Sequence, residues 1–295
     1  MKILNFGSLN RDLVYAVDHA VLPGETLASS GMDPFCGGKG LNQSLALARA
    51  GAIVYHAGCI GSDGDDLILM LQNSGVDTRH IRRVDGPSGH AIIQVDGQGQ
   101  NSILLFGGAN QRISPESIGK TLADFSEGDL LVLQNEINGI ARIMDEAHDR
   151  RMRIVFNPSP FNKSISAYPL EKVDWFVLNE IEGGELTGET EPEKILQALK
   201  EKFSDAKTLL TLGRRGVMYT DGNVVCSHPI FSVSVKDTTA AGDTFLGYFF
   251  ALLEKYGPRE ALRWASAASA IAVTVKGAAN SIPHREEVAA FLRNT

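Results

Sequence analysis

Short apolar runs recur along this chain, each closed by a small or polar residue, and amphipathic stretches separate them. Ile3-Leu4-Asn5-Phe6-Gly7 is the first such run and reads as a strand that Gly7 ends. Ile53 to Ile60, Asp129 to Gln134, Met152 to Phe156, Trp175 to Leu178 and Lys207 to Leu212 follow the same pattern. Runs of that length, bounded by turn residues, suit strands buried on both faces of a sheet. Helical spacing predicts helices over Asn42 to Ala50, Asp65 to Asn73, Gly139 to Asp149 and Pro192 to Phe203. Three more are expected over Thr244 to Lys255, Pro258 to Val275 and Arg285 to Arg293. Strand–helix repetition of this kind predicts an α/β fold, with a mostly parallel sheet and helices on both of its faces.

Two stretches break the rhythm. Residues 11–33 carry little helical pattern and include the short strand Val14 to Val17 and the turn Pro23-Gly24-Glu25-Thr26. Gly89 to Val95 and Gln100 to Phe106 flank Asp96-Gly97-Gln98-Gly99, which reads as a β-hairpin. Together these insertions, at about 11–35 and 88–107, predict a small antiparallel β-sheet projecting from the body. Placed over a ligand site, such a sheet acts as a lid. A further hairpin is expected from Gly216 to Ser227, and no linker divides residues 1–295, so a single domain is expected.

Composition narrows the function classes. The 295 residues are 43% hydrophobic and 21% charged, as in an ordinary globular protein with a substantial core. Net charge is −7 and the isoelectric point about 5.5, which argues against nucleic acid as a partner. Cys36, Cys59 and Cys226 have no metal-ligand spacing and suggest a reducing compartment. The first strand begins at once, with no signal peptide before it, and no apolar run is long enough to span a bilayer. The expected location is cytoplasmic, with no membrane partner.

Candidate chemistry gathers where predicted parallel strands end, which is where open α/β sheets bind ligands. Asn10 and Asp12 follow the first strand, Glu136 follows Gln134, Asn179 and Glu182 follow Leu178, and Gly213-Arg214-Arg215-Gly216 follows Leu212. The glycine-rich stretch Cys36-Gly37-Gly38-Lys39-Gly40-Leu41-Asn42-Gln43 opens a helix without the Gly-Lys-Ser/Thr ending of a phosphate loop. It is either a packing turn or a close backbone approach to a ligand, with Lys39 and Asn42 adding polar groups. Asp12, Asn42 and Glu136 suit a polyhydroxylated ligand, and Asn179 with Glu182 suits Mg²⁺ held through water. The Asn179-x-x-Glu182 spacing equally suits a capping-box helix start. Asp237-Thr238-Thr239-Ala240-Ala241-Gly242-Asp243-Thr244-Phe245 leads into a long apolar run. Asp243 there is either a helix cap or a base beside the N–H groups of Ala241, Gly242 and Asp243. Gly58 to Gly64 reads G-x-x-G-x-x-G, so a dinucleotide fingerprint is absent.

These motifs, in this order, resemble the ribokinase branch of the PfkB-type carbohydrate kinases. Gly38-Lys39-Gly40-Leu41-Asn42-Gln43 resembles the first family signature, Asp237 to Phe245 the second, and Asn179-Glu180-Ile181-Glu182 its N-x-x-E motif. The resemblance runs from the first strand to Ile282-Pro283. It implies a three-layer α/β/α sandwich with a β-sheet lid that often pairs two subunits as a homodimer. It also implies transfer of the γ-phosphoryl of ATP to a sugar's primary hydroxyl, O5 in ribose, with Asp243 as base and Ala241 to Asp243 as anion hole. Asn10, Asp12, Gly38, Lys39, Gly40, Asn42 and Glu136 match sugar-binding positions. Asn179, Thr211, Leu212, Gly213, Arg214, Arg215, Gly216 and Gly242 match ATP-binding positions, and Glu182 the position that influences Mg²⁺. A K⁺ site would involve Asp237, Thr239, Ala272, Val275, Gly277 and Ser281. The family pattern is broken at Ser266, where a histidine often lies near the adenine, and at Val275, where a basic residue is common. Other acceptors in the same fold are fructose, deoxyribose and nucleosides, and an inactive sugar sensor is the alternative from another class.

Overall fold

The computed structural model describes all 295 residues. In chain order the first half comprises β1 (Ile3–Phe6), β2 (Asn10–Ala16), β3 (Gly31–Gly37), α1 (Lys39–Arg49), β4 (Val54–Ile60), α2 (Asp65–Asn73), β5 (Asp77–Arg83), β6 (Gly89–Val95) and β7 (Asn101–Phe106). Next come α3 (Pro115–Leu122), β8 (Leu130–Gln134), α4 (Ile140–Asp149), β9 (Arg153–Asn157), β10 (Trp175–Asn179), α5 (Glu180–Thr187) and α6 (Pro192–Lys202). The chain closes with β11 (Lys207–Thr211), β12 (Val217–Thr220), β13 (Val225–His228), α7 (Ala241–Ala272) and α8 (Arg285–Arg293).

Nine strands form one sheet in the order β13-β12-β11-β10-β9-β8-β1-β4-β5. All its ladders from β11 to β5 are parallel, and only the β11–β12 and β12–β13 ladders at one edge are antiparallel. Strand alternation sorts the apolar residues into two cores. Ile3, Val54, Leu130, Val132, Val177 and Leu209 face α1, α2, α7 and α8. Leu4, Phe6, Leu131, Leu133, Phe176 and Leu210 face α3, α4 and α6. A period of two along the strands therefore builds the expected three-layer α/β/α sandwich.

The chain runs from β1 outward through β4 and β5, then returns and builds β8 to β11 on the other side of β1. The order reverses between β1 and β8, and a crevice opens there at the strands' C-terminal ends. The insertions form a separate four-stranded sheet in the order β3-β2-β6-β7. Its hairpin ladders β2–β3 and β6–β7 are antiparallel, and the two join through a parallel β2–β6 ladder.

Several expected boundaries move. Asn10 and Asp12 lie on strand β2, not in a loop. Helix α1 begins at Lys39, three residues before the expected start, because Gly40 allows the helix to lie against the backbone of Gly7 and Ser8. Any Cβ at Gly40 would come within 2.4 Å of Ser8 N. The two helices expected at 244–255 and 258–275 are both present within α7, separated at Gly257 (φ 74°, ψ 170°) just before Pro258; the first begins earlier, at Ala241, and the second ends at Ala272. Strand β5 and helix α3 have no counterpart in the sequence reading. No helix is long and apolar enough to cross a membrane.

Candidate active site

The crevice between β1 and β8 is bridged by polar contacts. The Ser8 hydroxyl donates to Glu136 Oε2, and the Lys39 backbone N–H donates to the same oxygen at 3.0 Å. Gly40 N–H donates to Ser8 Oγ at 3.2 Å. Glu136 thus sits at the mouth of α1, where free N–H groups favour a carboxylate. Gly38 supplies the turn into this helix with φ 92°, a left-handed conformation that suits glycine. Burial pushes the Glu136 carboxyl up, and Lys39 and Ser8 pull it partly back.

Asp12 lies close by on β2. Burial, with the Glu136 charge adding to it, pushes its carboxyl up to about 7. Gly37 leaves room for this group, since a Cβ there would lie 2.0 Å from Asp12 Oδ2. Asn10 is buried, and its Oδ1 accepts from Asn110 Nδ2 at 2.7 Å. Asn110 in turn accepts the Leu9 N–H at 3.0 Å, so the base of the small sheet is pinned to the end of β1.

Helix α7 points its N-terminus at the same crevice. Asp243 in its first turn is buried, and both carboxylate oxygens accept hydrogen bonds from α1. Gln43 Nε2 donates to Oδ1 at 2.8 Å, and Asn42 Nδ2 donates to Oδ2 at 3.1 Å. The N–H of Ala241 is taken by Thr238 O at 3.2 Å. The open donors at this helix mouth are therefore those of Gly242 and Asp243, one fewer than the sequence suggested. Ala240, the cap residue, is held at φ 59°, ψ 8°. A non-glycine residue in that region is strained, by about 1 kcal/mol.

Two adjoining cavities share this helix mouth. The smaller, ≈ 200 Å³, is lined by Lys39, Asn157, Ser159, Asn179, Glu182, Thr211 and Ala240 to Asp243. Asn179 and Glu182 form a complete capping box on α5: Glu182 N donates to Asn179 Oδ1 at 2.8 Å and Asn179 N to Glu182 Oε2 at 3.0 Å. The helix-start reading of this motif is thus realised, and Oε1 of Glu182 stays outside the box. Burial alone would lower the Lys39 ammonium, but Asp243, Glu136 and Glu182 together raise it, so it stays charged.

The larger cavity, ≈ 680 Å³, runs from Thr211, Gly213, Arg214 and Gly216 across Ala241 and Gly242 to an apolar wall of Ile230, Phe231, Val233, Val235 and Phe245. Ser266 lines it where the sequence comparison anticipated a histidine. Leu212 is buried away from the cavity, and the Arg215 guanidinium pairs with Glu180, so these two are not among its lining residues.

Behind the Asp243 loop, Asp237 ties two segments together. Its Oδ1 accepts from Thr239 N at 2.9 Å and Thr239 Oγ1 at 2.6 Å, and its Oδ2 from Gly277 N at 2.9 Å. Burial would raise this carboxyl, but those hydrogen bonds hold it below the usual range. Ala272 and Val275 share one turn at the end of α7, where Val275 N donates to Ala272 O. Ser281 is buried, with its hydroxyl turned to Ala278 O.

Four side chains at the site escaped the sequence reading. Ser8 links β1, α1 and Glu136, and Gln43 and Gln134 stand behind Asp243. Asn157, at the end of β9, accepts from Gln43 at 3.4 Å. A strand-end position was the available signal for Ser8, Gln134 and Asn157, and Gln43 closes the glycine-rich stretch, but nothing in the sequence pairs either glutamine with Asp243.

Residues 1–285 match the family described as "pfkB family carbohydrate kinase". Across 98% of its length the chain is 38% identical to a ribokinase of Haemophilus influenzae, covering 97% of that protein. It is similar to the crystal structure of a ribokinase from Thermotoga maritima, with a TM-score of 0.86 and 37% identity over 100% of this chain and 99% of that one. A structure of Arabidopsis thaliana ribokinase complexed with ribose and ATP gives a TM-score of 0.87 at 29% identity, over 99% of this chain and 98% of the other. A family match through residue 285, together with relatives aligned over nearly their full lengths, establishes this chain as a member of the pfkB family of carbohydrate kinases.

Proposed function

We propose that this chain is an ATP-dependent sugar kinase that transfers the γ-phosphoryl group to the primary (O5) hydroxyl of D-ribose. The observation that carries the reading is the placement of Asp243, a buried carboxylate at the mouth of α7 beside the open N–H groups of Gly242 and Asp243. A base and an anion site share one helix end, which phosphoryl transfer to a hydroxyl requires. Family membership and the ribokinase relatives support the reaction, and the ribose-and-ATP complex of the Arabidopsis relative supports the substrates.

On this reading Asn10, Asp12, Gly38, Gly40, Asn42 and Glu136 hold the sugar. Asn42 Oδ1 is a buried acceptor with no partner in the protein, which suits a sugar hydroxyl. Lys39 stands between the Glu136 side and the Asn179 side and would follow the phosphoryl group across. Asn179, Thr211, Gly213, Arg214, Gly216 and Gly242 would border the nucleotide, its base lying on the apolar wall beneath Ser266. Leu212 and Arg215 would shape that turn without touching it. The free oxygen of Glu182 fits Mg²⁺ held largely through water and phosphate. Asp237 and Thr239, with Ala272, Val275, Gly277 and Ser281, offer the oxygen donors a K⁺ ion prefers. The small sheet would close over the sugar. Its edge strand β7 exposes Ile103, Leu104, Leu105 and Phe106 in succession, which suits burial against a second copy of the chain.

Five outcomes are expected. In a coupled ADP-release assay across ribose, deoxyribose, fructose and nucleosides, ribose gives the highest kcat/KM; Asp243→Asn lowers kcat roughly 10²–10⁴-fold with ribose affinity little changed. A near-normal rate in that variant would sink the assignment. Sugar hydroxyls donating to Asp12 favour its ionised form, so binding drives off the proton it holds below about 7. Ribose affinity should then rise from pH 6 to 8, on the order of tenfold at most, with proton release in calorimetry that Asp12→Asn abolishes; buffer-independent heats would contradict this. Replacing K⁺ by Na⁺ should slow turnover, and equal rates would count against the cation site. In sedimentation the chain should run as a dimer that Leu104→Asp splits; a monomeric parent chain would refute the interface.

A further inference from the structure

Five polar side chains, Asn5, Gln43, Ser44, His56 and Gln134, are fully buried on the α1 face of the sheet. They come from β1, α1, β4 and β8, the elements around the reversal in strand order. Such groups cost free energy to bury, and apolar residues of similar size usually fold as well. None lines either cavity, so sugar or nucleotide contact does not account for them.

Their donors and acceptors can be assigned from one fixed end. The Gly40 carbonyl can only accept, and Asn5 Nδ2 donates to it at 2.8 Å. Asn5 Oδ1 therefore faces Gln134, whose Nε2 donates at 2.8 Å. The same Nε2 donates to Gln43 Oε1 at 2.7 Å. Gln43 is left with its Nε2 turned to Asp243 Oδ1, 2.8 Å away. On the other branch, Asn5 Nδ2 donates to Ser44 Oγ at 2.9 Å, and Ser44 lies 2.8 Å from His56 Nδ1. Burial pushes His56 down to about 3, so the ring is neutral and can accept the Ser44 proton. Gln134 Oε1 is buried without a partner. Reversing that amide would set its oxygen against two other amide oxygens, which is worse than one orphan.

We propose that Gln43 is a positioning residue whose amide, oriented through Gln134 and Asn5, always offers Asp243 an N–H donor and never a carbonyl. This rests on the reading of Asp243 as the base. With Asn42 on the other oxygen, the donor stops the carboxylate rotating and leaves its remaining lone pairs for the acceptor hydroxyl. The charged groups acting on Asp243 besides these amides are Lys39 from α1 and Glu136 from the β8 end.

Gln134→Glu tests the relay at a distance from substrate. A carboxylate at 134 can only accept, so Gln43 must turn its N–H toward it and its oxygen toward Asp243. Gln43→Met removes the donor at nearly constant volume and decides the matter alone if Gln134→Glu does not fold. In each folded variant, kcat should fall at least about tenfold with sugar and ATP KM values within about twofold. The Asp243 carboxyl, followed by carbon NMR of labelled aspartate and identified with Asp243→Asn, should titrate about one pH unit higher. An unmoved Asp243 titration, or a change in sugar KM with kcat intact, overturns the proposal. If the parent chain releases no ADP with any sugar, the kinase reading fails, while the NMR titration still tests the relay by itself.

Discussion

A parallel sheet that grows in both directions from one strand leaves its middle uncovered at the strand ends. Here that strand is β1, and the uncovered place is the crevice between β1 and β8. Everything at the candidate site depends on how the crevice is closed. Ser8 and the Lys39 N–H converge on Glu136, so the first turn of α1 is anchored over the gap. Gly40 lets the helix come down onto the strand end, and Asn42 and Gln43 then project toward α7. Moving α1 would move both groups that hold Asp243.

The second constraint is electrostatic. Glu136, Glu182 and Asp243 gather around a single ammonium, Lys39, and Asp12 lies against Glu136. Like charges in a partly buried space raise each other's pKa values unless hydrogen bonds or cations intervene. Asp243 has two amide donors, Glu136 has a hydroxyl and a backbone N–H, and Glu182 has its capping box. The Asp12 side chain has no such donor among the protein's hydrogen bonds, and burial together with the Glu136 charge pushes its carboxyl up to about 7.

The architecture was legible where periodicity was strong. Helices α2 and α8 fall on the stretches that spacing marked, and the buried strands β8 to β11 move by a residue or two. Strand β5 was hidden because Asp77-Thr78-Arg79-His80-Ile81-Arg82-Arg83 buries little beyond His80, and a charged edge strand lacks an apolar face to read. The Asp243 and Asn179 motifs were visible because they sit at strand ends or helix mouths. The roles of Gln43 and Gln134 were not, because an amide at the end of a motif or strand looks the same whether it faces solvent or a partner across the sheet. The left-handed Ala240 was equally invisible, since nothing in alanine's chemistry marks that conformation.

Strand β1 is only four residues long, yet each position has a different obligation. Ile3 enters one core, and Leu4 and Phe6 enter the other. Asn5 lies beside His56 and under the first turns of α1. A shift of one residue would bring Leu4 or Phe6 beneath the Gly40 carbonyl and the Ser44 hydroxyl, and would thrust Asn5 into hydrocarbon. A purely apolar β1 could slide at modest cost. A single amide in its midst makes the wrong alignment expensive on both faces at once, so the central strand carries its own proofreading during assembly.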